Sequence, residues 1–385
     1  MNFRTKQFLQ MKFREYYTRC SLRLPPSFDR REWGFIMFDH LPEVRMRRHK
    51  AFGAEGEVAE YLGGMVPAHV FYSAAYYEYP AAHSMVDKGW QGADLIFDLD
   101  ADHLRRKGEG FEEMLELVKR ETIRLLELLV EDLGISTRDL EVVFSGSRGY
   151  HIHIYDTAVH SLESGARREI VDYLTVTGFD HRTVFKDVST WSRRISTELL
   201  DFFCDLRFSM DRNEATKKLQ RKLQSFDEID EKTSQKISRK IMETLYRFET
   251  PRKIEEHFRL HSGFEQNVAL KPVAESIIES AGISLLRRET DEPVTTDVRR
   301  LIRLPSSLHG GSGLVVTPVE MERLEEFNPL TDALAFTSQP VNVICTKAFE
   351  ITMREERFTA REGKCELPEY AAIYGMCRGM CEYDQ

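Results

Sequence analysis

Two aspartates separated by one residue end a short apolar segment of the chain. Asp98 and Asp100 follow the Leu-Ile-Phe segment 95–97, which predicts a buried strand that delivers both acids at its carboxyl end. Residues two apart on a strand point to the same face, so the two carboxylates should project together. Neighbouring carboxylates repel each other unless a cation lies between them, and Mg²⁺ prefers such oxygen ligands. The pair therefore predicts a divalent metal site, although a bare Asp-x-Asp is more often a solvated strand end or turn.

A glycine-rich turn carries the second group of chemically useful side chains. Residues 145–149, Ser-Gly-Ser-Arg-Gly, lead into an alternating Tyr-His-Ile-His-Ile segment. Glycines permit positive φ and a close approach of the backbone to an anion. Ser145, Arg148 and His151 offer donors that suit phosphate. His151 and His153 also form a His-x-His pair, but no third and fourth zinc ligand is evident nearby in the sequence. This favours phosphate binding for His151 and a structural role for His153.

The third group lies at 299–313, where a basic segment runs into a loop rich in glycine and serine. The sequence Arg-Arg-Leu-Ile-Arg-Leu-Pro-Ser-Ser-Leu-His-Gly-Gly-Ser-Gly predicts a strand followed by backbone N–H groups that can surround an anion. Arg303 and His309 are the predicted anion contacts, whereas Ser312 and Gly313 taken alone are typical of a solvated turn. Three separate segments with metal or phosphate chemistry make coincidence a weaker explanation than it is for any one of them.

The composition is that of a protein able to bury a core. The chain has 385 residues, of which 42% are hydrophobic and 30% charged. No apolar run approaches the roughly 18 residues that a membrane span needs. Charges interrupt every turn of residues 1–17, which predicts no secretory leader, and we expect a soluble protein of the cytoplasm. The net charge of −9 argues against wholesale coating of nucleic acid, but it permits local basic clusters such as 45–50 and 217–222.

The elements that must position these groups alternate between strand and helix. Strand patterns at 70–79, 94–100 and 140–144 surround a helical period at 111–133 that ends before Gly134. This alternation favours an α/β or α+β core.

A different composition marks residues 205–260. Lys, Arg, Glu, Gln and Ser dominate there, and apolar residues recur at helical intervals, which predicts a helical insertion that ends near Pro251. The chain is therefore divided into a main domain, residues 1–204 and 261–385, and a helical insertion subdomain, residues 205–260.

Six cysteines are scattered, and the first three, Cys20, Cys204 and Cys345, are typical of isolated buried or free thiols with no disulfide framework. The last three, Cys365, Cys377 and Cys381, lie close together in the sequence. A structural zinc site usually needs four ligands in closely spaced pairs, and this segment also has the pattern of a short helix. Free thiols are therefore favoured over zinc.

Taken together, the three segments resemble the small, catalytic subunit of archaeal and eukaryotic DNA primase. FDLDAD, SGSRGYHIH and RLIRLPSSLHGGSGL occur in the family's order, and LPSSLHGGSGL points to its archaeal branch. The resemblance covers most of the chain and is weakest over 205–260. It implies the archaeo-eukaryotic primase fold, α/β (α+β), with mixed sheets flanked by helices and a small helical subdomain, and it makes the main domain catalytic.

The resemblance also implies a triad of aspartates that holds two divalent ions, Mg²⁺ or Mn²⁺. Two of the three correspond to Asp98 and Asp100. The third corresponds to Asp291, 18 residues before His309, and Asp297 is its rival because it lies closer to the basic segment.

Nucleotide-phosphate contacts carry over from the family to five residues: Ser145, Arg148, His151, Arg303 and His309. Arg31 and Arg48 are further basic residues expected to line the site, although each is equally consistent with an ordinary surface arginine. One departure concerns zinc, because many members carry a Cys/His knuckle soon after the acidic strand. Residues 103–134 contain only His103 and no cysteine, so no zinc is predicted there.

The implied activity is two-metal nucleotidyl transfer that makes short primers on single-stranded DNA from ribonucleotides, often from deoxyribonucleotides too. A large primase subunit is the implied partner, and no membrane is involved. Two other functions stay open. One is a primase-polymerase that acts mainly in DNA repair, which would extend primers or fill gaps. The other is a non-catalytic nucleic-acid-binding module, which would show no Mg²⁺- or Mn²⁺-dependent nucleotide affinity.

Overall fold

A computed structural model describes residues 1–41, 43, 45–101, 110–185, 189–224, 229–260, 271–286 and 294–384. The helices are α1 Phe3–Tyr17, α2 Glu55–Met65, α3 Phe111–Glu131, α4 Thr157–His160, α5 Ser164–Leu174, α6 Thr190–Phe208, α7 Arg212–Gln224, α8 Glu231–Leu245, α9 Pro251–Leu260, α10 Lys271–Ala281, α11 Pro329–Asp332 and α12 Glu369–Cys377. The strands are β1 Trp33–Met37, β2 Met46–Lys50, β3 Pro67–Ser73, β4 Ala75–Tyr77, β5 Trp90–Ala93, β6 Leu95–Asp100, β7 Leu140–Phe144, β8 Gly149–Ile154, β9 Leu301–Arg303, β10 Thr317–Val319, β11 Pro340–Cys345, β12 Phe349–Met353, β13 Glu356–Ala360, β14 Gly363–Pro368 and β15 Cys381–Tyr383.

Two four-stranded sheets dominate the first of two compact units, which comprises residues 1–168 and 288–385. The first sheet has the order β2-β1-β3-β9 and the second has the order β10-β7-β8-β6. Smaller sheets are β14-β11-β15, β12-β13 and β4-β5. The expected α+β fold class is confirmed. Mixed sheets were expected. All strand pairings in the described ranges are instead antiparallel.

Helix α3 covers one face of the second sheet, where it contacts β6 and β8. The predicted helix at 111–133 is confirmed, and Gly134 lies just beyond its end with φ +66°. On β6, the buried side chains of Leu95, Phe97 and Leu99 alternate with those of the opposite face. Each buried large apolar side chain contributes about 1.5–3 kcal/mol. This apolar face therefore fixes which way Asp98 and Asp100 point.

The strand predicted at 70–79 is divided in two at Ala74. The backbone N–H of Ala74 donates to the carbonyl of Arg300, and its own carbonyl accepts from the N–H of Asp94. The backbone of Ala74 is thus hydrogen-bonded to two different segments, and the chain passes there from the first sheet into the β4-β5 ribbon. A continuous strand was the wrong expectation because these long-range partners leave no local pattern.

The second unit comprises residues 169–287 and is helical. It takes in more than the predicted insertion 205–260, because α6 and α10 pack against the helices of that segment. Pro251 begins α9 and does not end the helical region as expected. Proline is well tolerated at a first helical position, where its missing N–H would have no intrahelical partner.

Among the described residues, no helix is both long enough and apolar enough to span a membrane.

Candidate active site

The acidic residues lie on β6, the edge strand of the second sheet. Oδ2 of Asp98 lies 2.9 Å from Nη2 of Arg300, the residue that precedes edge strand β9 of the first sheet. The site is therefore built where the edges of the two sheets approach each other. The Asp98 side chain is 12% exposed, and Asp100 is half-buried at the end of the same strand. The predicted strand that delivers both acids is confirmed.

His151 lies directly opposite Asp98 on neighbouring strand β8. Its Nε2 is 3.6 Å from Oδ1 of Asp98. Burial lowers the pKa of His151 to about 4, although the Asp98 carboxylate acts in the opposite direction. The imidazole is neutral near pH 7, so toward a phosphate it is suited to be a hydrogen-bond donor rather than a counter-ion.

The glycines of the 145–149 turn approach other parts of the protein very closely. Gly149 lies opposite Asp100, and a Cβ there would collide with the carbonyl oxygen of Leu99 and lie 3.1 Å from Cα of Asp100. Gly146 has φ +80°, and its Cβ would lie 2.7 Å from that of His309. The turn thereby holds β6 on one side and the glycine-rich loop on the other.

Replacing Gly149 with alanine is expected to destabilise the protein by about 1–3 kcal/mol or more, because the added methyl group overlaps the backbone of β6. Urea unfolding of the full chain measures this loss. Gly64→Ala is the control, since Gly64 lies within helix α2 and nothing lies within 4 Å of a Cβ there. Equal stability of the two variants would show that β6 can move away from the turn at little cost.

Ser145 and Arg148 lie on the same turn. The Ser145 hydroxyl accepts a hydrogen bond from the N–H of Gly149 at 3.2 Å, and its own proton remains available to donate. Arg148 is half-buried. Both residues are thus held by the segment that pairs with the acidic strand.

Arg303 and His309 begin a chain of polar contacts. Nη2 of Arg303 lies 3.0 Å from Nε2 of His309, and Nδ1 of His309 lies 3.1 Å from Oγ of Ser312. The Ser312 hydroxyl donates to the carbonyl of Gly146 at 2.5 Å. A guanidinium only donates, so Arg303 faces Nε2 of an uncharged ring, while the N–H of Gly311 donates to Nδ1 at 3.2 Å. Burial and the charge of Arg303 lower the pKa of His309 well below its usual value, which agrees with this neutral form.

Arg303 itself lies between His309 and the acids. Burial lowers the pKa of its guanidinium, while Asp98 and Asp100 act to raise it. The Arg303 side chain also covers the ring of Phe71, with the guanidinium carbon 5.2 Å from the ring centroid. The predicted acidic and basic groups are therefore brought together around one centre.

Sequence reasoning missed His69 on β3. Its ring centroid lies 4.8 Å from that of His309, and burial lowers its pKa to about 3, with Arg303 acting in the same direction. A single histidine within the apolar segment 67–73 carries no periodic signal. Only the pairing of β3 with β9 reveals that it belongs to the site.

Arg378 was also missed, and it follows helix α12 near the carboxyl end of the chain. A Cβ at Gly313 would lie 2.7 Å from Cγ2 of Ile373, so the glycine-rich loop packs directly on this helix. After burial and Arg303, the charges of Arg378 and Arg148 also act to lower the pKa of His309. The C-terminal helix thus adds a cation to the basic side of the site.

Arg31 was expected to line the site, and the structure places it elsewhere. Its guanidinium is fully buried, 2.7 Å from Oδ2 of Asp94. Its nitrogens also donate to the hydroxyl of Tyr76 and to the carbonyls of Pro26, Ser73 and Ala74. These bonds leave no donor for a nucleotide, so Arg31 stabilises the fold.

Arg48 is likewise engaged within the protein. Its Nε and Nη2 donate to the two carboxylate oxygens of Glu32 at 3.1 and 3.0 Å. It lies on β2, at the edge of the first sheet opposite β9. Three strand spacings, about 14 Å, separate the two edges. The structure does not bring Arg48 beside Asp98.

The proposed third acid, Asp291, lies outside the described residues. Its rival Asp297 is exposed, and its Oδ1 accepts a hydrogen bond from the N–H of Arg299 at 2.9 Å. The short helix Val294–Thr296 contacts β6, so residues 294–296 lie beside the acidic strand.

The donor chemistry of Asp98 and Asp100 fits a hard divalent ion, because both are carboxylates on one strand face. Oδ2 of Asp98 already lies against one cationic group, the guanidinium of Arg300. Within the described ranges, no three His, Cys, Asp or Glu side chains are arranged to hold a metal. Asp291 lies outside those ranges.

Three of the cysteines lie together at the carboxyl end. Sγ of Cys345 lies 2.9 Å from that of Cys381 and 3.4 Å from that of Cys365. Burial raises the pKa of Cys365 to about 11, so this thiol is protonated near neutral pH. Cys377, which the sequence grouped with Cys365 and Cys381, ends helix α12 and lies beside Gly313. The contacting set therefore differs from the one that the spacing suggested.

Comparison with known proteins gives one consistent result. The sequence model of the DNA primase small subunit family matches residues 97–321, which include all three predicted segments. The chain is 41% identical over 405 residues to DNA primase small subunit PriS of Methanococcoides burtonii, with 100% of both chains covered. It is 40% identical over 419 residues to PriS of Methanosarcina barkeri, covering 100% of this chain and 98% of the relative. With PriS of Methanocella arvoryzae it shares 41% identity over 401 residues, again covering 100% of both.

Proposed function

Because the chain belongs to the family of DNA primase small subunits, we propose that it synthesises short RNA primers on single-stranded DNA by nucleotidyl transfer at the Asp98–Arg303 site. Membership of the family makes it a catalytic primase subunit of DNA replication and a nucleotidyltransferase. The relatives are named small subunits, so we propose a large primase subunit as its partner. Deoxyribonucleotides are proposed as further substrates.

One observation carries the proposal. Segments that are far apart in the sequence converge so that acidic β6 faces a basic wall made by Arg300 and Arg303. Acids that bind metal, with a cation such as Arg303 beside them to bind phosphate, are what transfer of a nucleotidyl group requires.

Asp98, Asp100 and Asp291 are the proposed ligands of divalent ions, Mg²⁺ or Mn²⁺, which when bound supply Lewis acids for the attacking and leaving oxygens. Arg148 and Arg303 would neutralise the charge of the triphosphate.

Arg303 uses one Nη2 N–H for His309 at 3.0 Å, while its Nε has no hydrogen-bond partner among the described residues and is available to a triphosphate. Ser145 and neutral His151 would donate hydrogen bonds to phosphate oxygens. His309 is proposed to hold Arg303 in place, and it would donate to a phosphate oxygen only with a proton on Nε2, after Arg303 has turned away. Arg31 and Arg48 are left out of the proposed set for the reasons given above.

A primer-synthesis assay on single-stranded circular DNA tests the function. The full chain, with and without its large subunit, is supplied with labelled ribonucleotides or deoxyribonucleotides and no primer. We expect short labelled products that need Mg²⁺ or Mn²⁺. Products that form only on a pre-annealed primer would instead indicate extension or gap filling. No incorporation under either condition would refute the proposal.

Asp291→Asn is expected to lower primer synthesis at least about a hundredfold, whereas Asp297→Asn should stay within about threefold of wild type. The two substitutions remove the same charge. Asparagine at 297 can still accept the N–H of Arg299, so its local turn is preserved. Initial rates of labelled-nucleotide incorporation measure both effects. The reverse pattern would make Asp297 the third ligand.

A further inference from the structure

Arg300 contacts the acidic residue that the proposed chemistry depends on most. Its Nη2 lies 2.9 Å from Oδ2 of Asp98, and the two residues are 202 positions apart in the sequence. Arg300 side-chain exposure is 34%, against 12% for Asp98, so solvent reaches this pair from the Arg300 side.

The backbone of Arg300 is fixed independently of this ion pair. Its carbonyl accepts from the N–H of Ala74 at 2.8 Å, and its N–H donates to the carbonyl of Asp297 at 3.3 Å. The next three residues form strand β9, which pairs with β3. The side chain can therefore leave Asp98 while the main chain stays in place.

The ion pair between Arg300 and Asp98 is weak enough for a metal ion to replace Arg300 at the carboxylate. A partly exposed arginine–carboxylate pair is a weak interaction in water. A dication that binds the same oxygen interacts more strongly with it. The dication also repels the Arg300 guanidinium, whose Nη2 lies 2.9 Å from that oxygen. Both effects favour departure of Arg300 when a metal binds Asp98.

We propose that Arg300 competes with the divalent cation for the Asp98 carboxylate and so weakens metal binding at this centre. The inference rests on the proposed function, because it takes Asp98 as a metal ligand. Arg300 is in this view neither a ligand nor a catalytic residue. It is a built-in counter-ion that neutralises Asp98 beside Asp100 and that the metal must displace.

Mn²⁺ titration of the full chain, followed by electron paramagnetic resonance of free Mn²⁺ without nucleotide, tests the competition. Arg300→Gln is expected to bind Mn²⁺ about three- to tenfold more tightly than wild type. Arg300→Lys should remain within about twofold, because it keeps the competing charge.

Arg299→Gln is the matched control for the lost charge. Arg299 is the adjacent residue and is exposed, and its backbone N–H donates to the Asp297 carboxylate. Its variant should bind Mn²⁺ within about twofold of wild type. An equal gain in both glutamine variants would mean that general charge, and not competition at Asp98, sets the affinity, and it would overturn the proposal.

Unchanged or weaker Mn²⁺ binding by Arg300→Gln would also overturn it, and weaker binding would indicate that Arg300 positions Asp98. Thermal unfolding of each variant shows that the measured protein is folded. Asp98→Asn distinguishes failure of the metal assignment from failure of the competition by Arg300. If this variant binds Mn²⁺ as tightly as wild type, the metal assignment within the proposed function fails whatever Arg300→Gln shows.

Discussion

Replacing Asp98 with asparagine is expected to lower the rate of primer synthesis at least about a thousandfold. The carboxylate is a proposed ligand of the ions that stabilise charge in the transition state, and such stabilisation amounts to several kcal/mol. Each 1.36 kcal/mol corresponds to about a tenfold change in rate. Initial rates of labelled-nucleotide incorporation on single-stranded DNA measure the effect, with product detection sensitive to about 0.01% of the wild-type rate.

The same variant should remain folded. The Arg300 guanidinium that loses the Asp98 carboxylate is 34% exposed, so water can solvate the charge. Asparagine is close in size and retains an oxygen that can accept a hydrogen bond from His151. A melting temperature within a few degrees of wild type is the expected readout.

Asp156→Asn provides a matched control. Asp156 follows the far end of β8, where its side chain accepts from the N–H of Ala158 and caps a short helix. Asparagine preserves that cap, and normal activity is expected. Incorporation by Asp98→Asn above about a tenth of the wild-type rate would contradict a ligand role for this carboxylate.

The parts of the site that the sequence predicted are those with a local pattern. The apolar residues 95–97 predicted β6 because each element of the pattern lies within one strand length. Helix α3 was equally visible from its 3.6-residue period and from Gly134 beyond its end. Together these two elements determine the face on which Asp98 projects.

Residues whose roles depend on distant partners were not predictable in this way. A basic side chain at 31 is equally compatible with nucleotide contact and with a buried ion pair, and its partner Asp94 is remote in the sequence. The contact between Arg300 and Asp98 spans 202 positions. His69 enters the site only through the pairing of two strands. In each case packing of separate elements sets the role, and neither periodicity nor residue type reports it.

Buried histidines lead to a second large expected effect, a loss of stability in mild acid. Burial lowers the pKa of His151 and His153 to about 4 and that of His69 to about 3, and it lowers that of His309 as well. In the unfolded chain each would titrate near 6.5. Between about pH 6.5 and 4 the unfolded state therefore binds more protons than the folded state, and stability falls as the pH falls.

The size of this effect is comparable to the stability of a whole domain. From pH 7 to 5, a histidine shifted to about 4 loses about 2 kcal/mol. His151, His153 and His69 together lose about 6 kcal/mol, which lies within the 5–15 kcal/mol that typically separates folded from unfolded protein, and His309 acts in the same direction. Urea unfolding at pH 7, 6 and 5, in a buffer with chelator, should show a steep decrease with an uptake of about three to four protons near pH 5.

Single substitutions assign this dependence to the buried rings. His153 is fully buried and bonds through Nδ1 to the Tyr72 hydroxyl at 3.3 Å, so His153→Gln removes one titrating group and keeps a polar partner. The proton uptake near pH 5 should then decrease by about one. Stability that is the same at pH 7 and pH 5 would mean that these histidines take up protons in the folded protein, and hence that water reaches the face of the second sheet that carries Asp98.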